Sequence, residues 1–234
     1  MSPKIKHLFL SIISGIALGI SWPVDGLTVL VFTSLIPLLY LEDSIRNDDS
    51  NNKGIRIFGY SYLSFLIWNI ITTWWLYNST LFGMLFANLC NSLFYALIFI
   101  LFYWAKSRLP FRSAYIFFIS IWIAFEKLHL IWDFSWSWIN LGNVFSEKIY
   151  WIQWYEYTGT FGGSLWVLCI NVWVFSLLKR YGFNSIKLLI KKLIAPLIAI
   201  ALPIAFSLYL YQKVEVKNKK IEVITMQPNI DPYN

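Results

Sequence analysis

Cysteine and histidine are nearly absent: the 234 residues hold two of each, Cys90, Cys169, His7 and His129. No paired-Cys or His-Glu-x-x-His spacing occurs, so the sequence offers neither a metal site nor a disulfide framework, and no cofactor is expected. Both cysteines fall inside apolar runs and are expected as inert packing residues. Charge is scarce too, at 13% of residues against 58% hydrophobic, with mean hydropathy +0.59. A soluble domain of this size could not hide so much apolar surface; its main solvent must be lipid. Strictly alternating ten-residue segments are missing, which excludes a β-barrel. The formal charge of +7 could suggest nucleic acid, but in a membrane chain it belongs to loops on one side of the bilayer.

What is present is a series of apolar runs, and the expected fold class is an all-α polytopic membrane bundle of about seven transmembrane helices over residues 1–211. The runs are 8–22, 27–41, 58–77, 81–105, 113–130, 165–178 and 193–211. The first two are short against the roughly 20 residues that cross a hydrocarbon core, and pair as a hairpin around Pro23 and Gly26. A basic start before a short apolar run also describes a signal peptide, but no A-x-A site follows, so an uncleaved helix is expected. The polar stretch 42–56 reads as a solvated, mobile connection without chemistry. Pro196 and Pro203 in the last run imply kinks rather than breaks. With the N-terminus cytoplasmic, thirteen Lys and Arg fall inside and six outside, as the positive-inside rule asks. Residues 212–234 differ in kind: 221–227 is β-rich and reads as the first strand of a globular domain the chain does not contain.

The stretch 136–166 is too polar to cross a bilayer and lies between two apolar runs. It holds Trp136, Trp138, Trp151, Trp154 and Trp166 among polar groups that include Asn140, Glu147 and Glu156. Most tryptophans gather at this outer boundary, whereas an ordinary aromatic belt populates both faces. Ser146 and Glu147 suit a helix start, and Tyr150, Trp151, Trp154 and Tyr155 then share one face of an interfacial helix. Gly159, Gly162 and Gly163 would end it. Glu156 either meets a lipid headgroup or orders the loop, or else it pairs with Lys148 or caps backbone. Glu126 either faces the bundle interior or snorkels beside Lys127. No Ser-His-Asp, Cys-His or close carboxylate set can be assembled.

The segments Trp136-Ser137-Trp138-Ile139-Asn140-Leu141-Gly142, Gln153-Trp154-Tyr155-Glu156-Tyr157-Thr158-Gly159 and Gly162-Gly163-Ser164-Leu165-Trp166 resemble bacterial apolipoprotein N-acyltransferases, most closely the Bacteroidetes type. Ser21-Trp22-Pro23 and 223–231 do likewise, the latter resembling that family's entry into its extracytoplasmic nitrilase-like domain, which implies an α/β fold for the domain that follows. Two positions depart: Ser137 stands where Pro is common, and His129 where Arg is.

The resemblance implies an inner-membrane enzyme with its C-terminal end periplasmic. It moves an acyl chain from a phospholipid donor to the α-amine of a diacylglyceryl-cysteine lipoprotein. A nitrilase-type Glu, Lys and Cys carry the reaction: the Cys takes the acyl group as a thioester and passes it to the amine. In the family's order all three lie beyond Asn234. No catalytic residue is therefore expected in this chain, which reads as incomplete and inactive alone. Trp136, Trp138, Asn140, Trp154, Glu156 and Tyr157 are expected to face lipid and substrate as the floor of that site. Two other classes compete. A transporter or channel would use Glu126 and the prolines as a pathway, and a non-enzymatic anchor would recruit a separate catalytic subunit.

Overall fold

The computed structural model describes residues 2–23, 25–49, 51–182, 185–213 and 222–227. The described chain is an all-helical bundle of seven α-helices: α1 (Pro3–Gly19), α2 (Ile36–Arg46), α3 (Lys53–Thr73), α4 (Leu81–Lys106), α5 (Phe111–Leu128), α6 (Tyr155–Tyr181) and α7 (Ile186–Gln212). Five segments are long and apolar enough to cross a membrane: Thr28–Arg46, Lys53–Asn78, Leu81–Lys106, Tyr155–Tyr181 and Ile186–Gln212. The other two helices have physical reasons to differ. α1 has 17 residues, about 25 Å at 1.5 Å per residue against a core of about 30 Å. α5 carries Arg112, Glu126 and Lys127 near its ends.

Local chemistry sets several helix ends. Ser2 caps α1 by accepting from the Ile5 N–H, with Pro3 in the first turn, a position where proline loses no helical hydrogen bond. Thr80 caps α4 through the Gly83 N–H. α1 lies close against α3 through a small-residue stripe of Ser11, Gly15 and Gly19. A Cβ on Gly15 would collide with the Ser64 carbonyl, and one on Gly19 with Ile71. Such spacing lets lipid-embedded backbones approach, and the Ser11 hydroxyl donates across the gap to the Tyr60 carbonyl at 2.6 Å.

The core is aromatic and sits between α3, α4 and α5. Phe65, Trp68, Tyr95, Phe99, Phe118 and Trp122 are fully buried. Ring centroids are 4.9 Å apart for Tyr95–Trp122 and 5.1 Å for Trp68–Tyr95, within the range of favourable tilted and edge-on contacts. α6 then packs on α5 and α7.

Three sequence expectations change. The stretch 42–56 is not wholly a connection, because α2 continues to Arg46 and α3 starts at Lys53. Glu42 is fully buried, paired with Arg46 at 2.7 Å and Lys106 at 2.5 Å, and Asp43 pairs with Lys106 and Lys179. Buried charges of this kind survive because partners on neighbouring helix ends satisfy them. The expected strand is absent: residues 222–227 have no regular structure, since a lone strand has no ladder to join. Residue 221 lies outside the described residues. Finally, Cys169 is exposed on α6 and Cys90 half-buried on α4, so neither is a core packing residue. α7 runs unbroken through Pro196 and Pro203.

Candidate functional site

The chain between α5 and α6 forms a cap over the bundle end opposite the Lys106–Glu42 cluster. It contains two short 3-10 turns, Leu141–Phe145 and Ile149–Trp151. The interfacial helix expected from Ser146 does not form; Ser146 instead ends the first turn. Ile139, Leu141, Val144 and Phe145 are buried and pull this segment down into the bundle. Burial of those side chains outweighs the helical spacing of Tyr150, Trp151, Trp154 and Tyr155.

The cap is fastened at Glu126. Its side chain is fully buried, and one carboxyl oxygen accepts from the Trp122 indole N–H at 3.1 Å and from the Leu141 backbone N–H at 2.8 Å. The next residue, Gly142, completes the clamp. Its N–H donates to the Ser164 hydroxyl at 2.9 Å, and its carbonyl accepts from the Tyr155 hydroxyl at 2.8 Å. Only glycine fits there, since a Cβ would collide with the Thr160 carbonyl on α6. Glu126 therefore faces the bundle interior and does not snorkel.

A second fastening lies at His129. Trp132 donates its indole N–H to His129 Nδ1 at 2.9 Å, so the other ring nitrogen carries the proton and donates to Asn91 Oδ1 at 3.0 Å. The Trp136 N–H closes the intervening loop onto the His129 carbonyl at 2.9 Å.

The six expected contact residues fall into two groups. Trp136 and Trp138 lie on the α3–α4 side, and Asn140 follows them along the loop. Trp138 is 60% exposed, its ring 5.8 Å from that of Trp75. Trp136 is half-buried beside a cleft of 210 Å³ between α4 and 133–136, lined by Phe86, Cys90, Asn91, Phe94 and Phe134. Asn140 is buried, its side-chain oxygen without a hydrogen-bond partner.

Trp154, Glu156 and Tyr157 lie toward α7. Trp154 is half-buried with its ring 5.6 Å from Trp166, and the exposed Tyr157 ring lies 6.3 Å from Phe206. Glu156 is exposed in the first turn of α6, and no ion pair with Lys148 forms. Among the described residues no hydrogen bond, ion pair or ring contact joins the two groups. Gly159, with φ 66° and ψ −175°, kinks α6 just after Tyr157 and Thr158. It interrupts the helical backbone between the turn 155–158 and the long helix that follows, whereas Gly162 and Gly163 lie inside that helix.

The residues that build the cap are thus Glu126, Gly142, Tyr155 and Ser164, more than the aromatic ones. The pairing of Glu126 with Leu141 crosses an irregular loop and left no periodic signal. Among the described residues no group of three His, Cys, Asp or Glu side chains could hold a metal. What the arrangement can do is present an exposed aromatic rim and a small apolar cleft on a pinned support.

Comparison with known proteins gives the family. Residues 14–173 match the apolipoprotein N-acyltransferase N-terminal domain. A protein of Chlorobaculum tepidum named apolipoprotein N-acyltransferase is 31% identical over 233 residues, covering 97% of this chain. The chain spans 42% of the length of that relative. No solved structure matches. With more than half of its length inside the family's N-terminal domain, the chain belongs to the apolipoprotein N-acyltransferase family.

Proposed function

We propose that this chain is the membrane part of an enzyme that transfers an acyl chain from a phospholipid to the N-terminal diacylglyceryl-cysteine of lipoproteins. The observation carrying this reading is the family match over 14–173, and the pinned cap gives it a physical form. Trp136, Trp138, Asn140, Trp154, Glu156 and Tyr157 form a floor at the membrane boundary. Acyl chains rest on its aromatic rim while chemistry proceeds above it, on the Glu, Lys and Cys groups of a nitrilase-like domain. Rings of this kind favour the headgroup depth where an ester bond sits.

Seven segments span the bilayer in this reading, α2 as the inner part of the segment Thr28–Arg46, with the N-terminus cytoplasmic and the cap periplasmic in a bacterial inner membrane. Support comes from the gathering of Arg46, Lys53, Lys106 and Lys179 at one end, joined by contacts to Glu42, Asp43 and the Arg46 carbonyl. The positive-inside rule makes that end cytoplasmic. A transport pathway through Glu126 is disfavoured, because that carboxyl is fully buried and fastens the cap.

The test uses a phospholipid with a photoreactive acyl chain, added to the purified chain in nanodiscs. Crosslinks should concentrate in 134–157, and Trp136→Ala with Trp138→Ala should reduce those on the α4 side severalfold. Crosslinks spread evenly over all helices would sink the floor. Acyl transfer to a lipopeptide by the chain alone would sink the assignment of the chemistry elsewhere.

A further inference from the structure

The opposite end of the bundle carries a feature the acyl-transfer reading does not use. Between α5 and α6 runs a groove of 900 Å³, toward the upper end of the range for small-ligand sites. Its walls are apolar, with Ile116, Ile119, Val172 and Trp173, while its mouth is cationic, with Arg112, Lys179 and Arg180. Lys179 is neutralised by Asp43. Arg112 and Arg180 are both exposed and have no acidic partner among the described residues; Arg180 only stands over the Tyr181 ring, 5.6 Å from its centroid.

One further observation points the same way. α5 begins at this mouth without an acid in its first turn and without a side-chain cap, which leaves its first N–H groups to favour an anion.

We propose that this groove holds one anionic phospholipid of the adjacent leaflet, its acyl chains along Ile119 and Trp173 and its phosphate at Arg112 and Arg180. An apolar slot with a cationic mouth suits a lipid anion better than a zwitterion, because the two guanidiniums retain uncompensated charge. Basic pockets between membrane helices hold anionic headgroups for this reason. The site lies at the end away from the cap, so the lipid is a resident of the bundle and not the acyl donor.

Native mass spectrometry of the full 234-residue chain in detergent tests this. Phosphatidylglycerol should be retained through delipidation where phosphatidylcholine is lost. Arg112→Ala with Arg180→Ala should lower that retention about tenfold or more. Lys127→Ala with Lys148→Ala, at the other end, should leave it unchanged. Cys169→Trp keeps both arginines but fills the exposed wall position, and should displace the lipid while the melting temperature holds. Equal retention of the two lipids would overturn the proposal, as would retention unaffected by the arginine pair or by Cys169→Trp. Displacement by millimolar glycerol 3-phosphate would also overturn it, by showing a small-anion site that needs no acyl chain.

Discussion

A single carboxyl group carries more of this molecule than its six candidate aromatic and polar contacts do. Glu126 holds two donors, one from its own helix and one from the cap, on one oxygen. Removing it orphans the Trp122 indole and the Leu141 N–H in a place water does not reach. Each unsatisfied buried donor costs about 1–3 kcal/mol, so with two of them Glu126→Ala should destabilise the protein by roughly 2–6 kcal/mol. Glu126→Gln keeps an amide oxygen at the same position and should cost less than half as much. Thermal unfolding in detergent measures the first effect. Limited proteolysis within 129–154 measures the second consequence, release of the cap, and should accelerate in the Ala variant alone. Equal melting temperatures for Ala and Gln would show that the two hydrogen bonds do not hold the cap.

Among the elements, the helices were legible where apolar length decided them and illegible where contacts did. α3, α4 and α7 follow the long apolar runs because lipid solvates any face the bundle leaves open. α2 runs past its apolar stretch, since Glu42 and Asp43 look like loop residues until Lys106 and Lys179 come from distant sequence to pair with them. The start of α6 differs from its sequence pattern for a related reason: three glycines close together suggest termination, yet only Gly159 interrupts the helical backbone. Gly162 and Gly163 give way to tight contacts with Trp154, Thr158 and Tyr155. Gly159 alone has a positive φ, in a region of backbone space that only glycine occupies comfortably. Nothing lies within 4 Å of a Cβ built there, so a loss on substitution would come from the backbone and not from packing. Gly159→Ala should therefore cost about 1–3 kcal/mol. It should also raise the protease sensitivity of Tyr155–Thr158 relative to Gly59→Ala, whose site is equally open on an ordinary helix. Matching stabilities for the two variants would mean that α6 relaxes its kink without penalty.

At the scale of the whole molecule, polar fastenings hold both ends of the bundle, Glu126 and His129 at the capped end and the buried Glu42 at the other. The sequence showed which end is basic but not that buried acids lock it, because no pattern in the chain announces which of the twelve acids will be covered. Glu42 has no exposed surface, and the Lys106 side chain is 7% exposed, so solvent screens this pair little. Their contact ties the end of α2 to the end of α4, and Arg46 extends the tie by donating to the Tyr103 carbonyl at 2.5 Å. Removing one partner leaves charge buried: Lys106→Met should cost about 3–5 kcal/mol, moderated by the remaining Arg46 pair. Removing both is a different experiment. Glu42→Gln with Lys106→Met takes away the charge that needed solvating, so the double variant should be more stable than Lys106→Met alone. A double-mutant cycle of unfolding free energies in detergent reads the difference directly. If the two losses simply add, the pair is decoration on a bundle that lipid and the aromatic core of α3, α4 and α5 already hold. If they do not, the basic end is a fixed base against which the capped end is built.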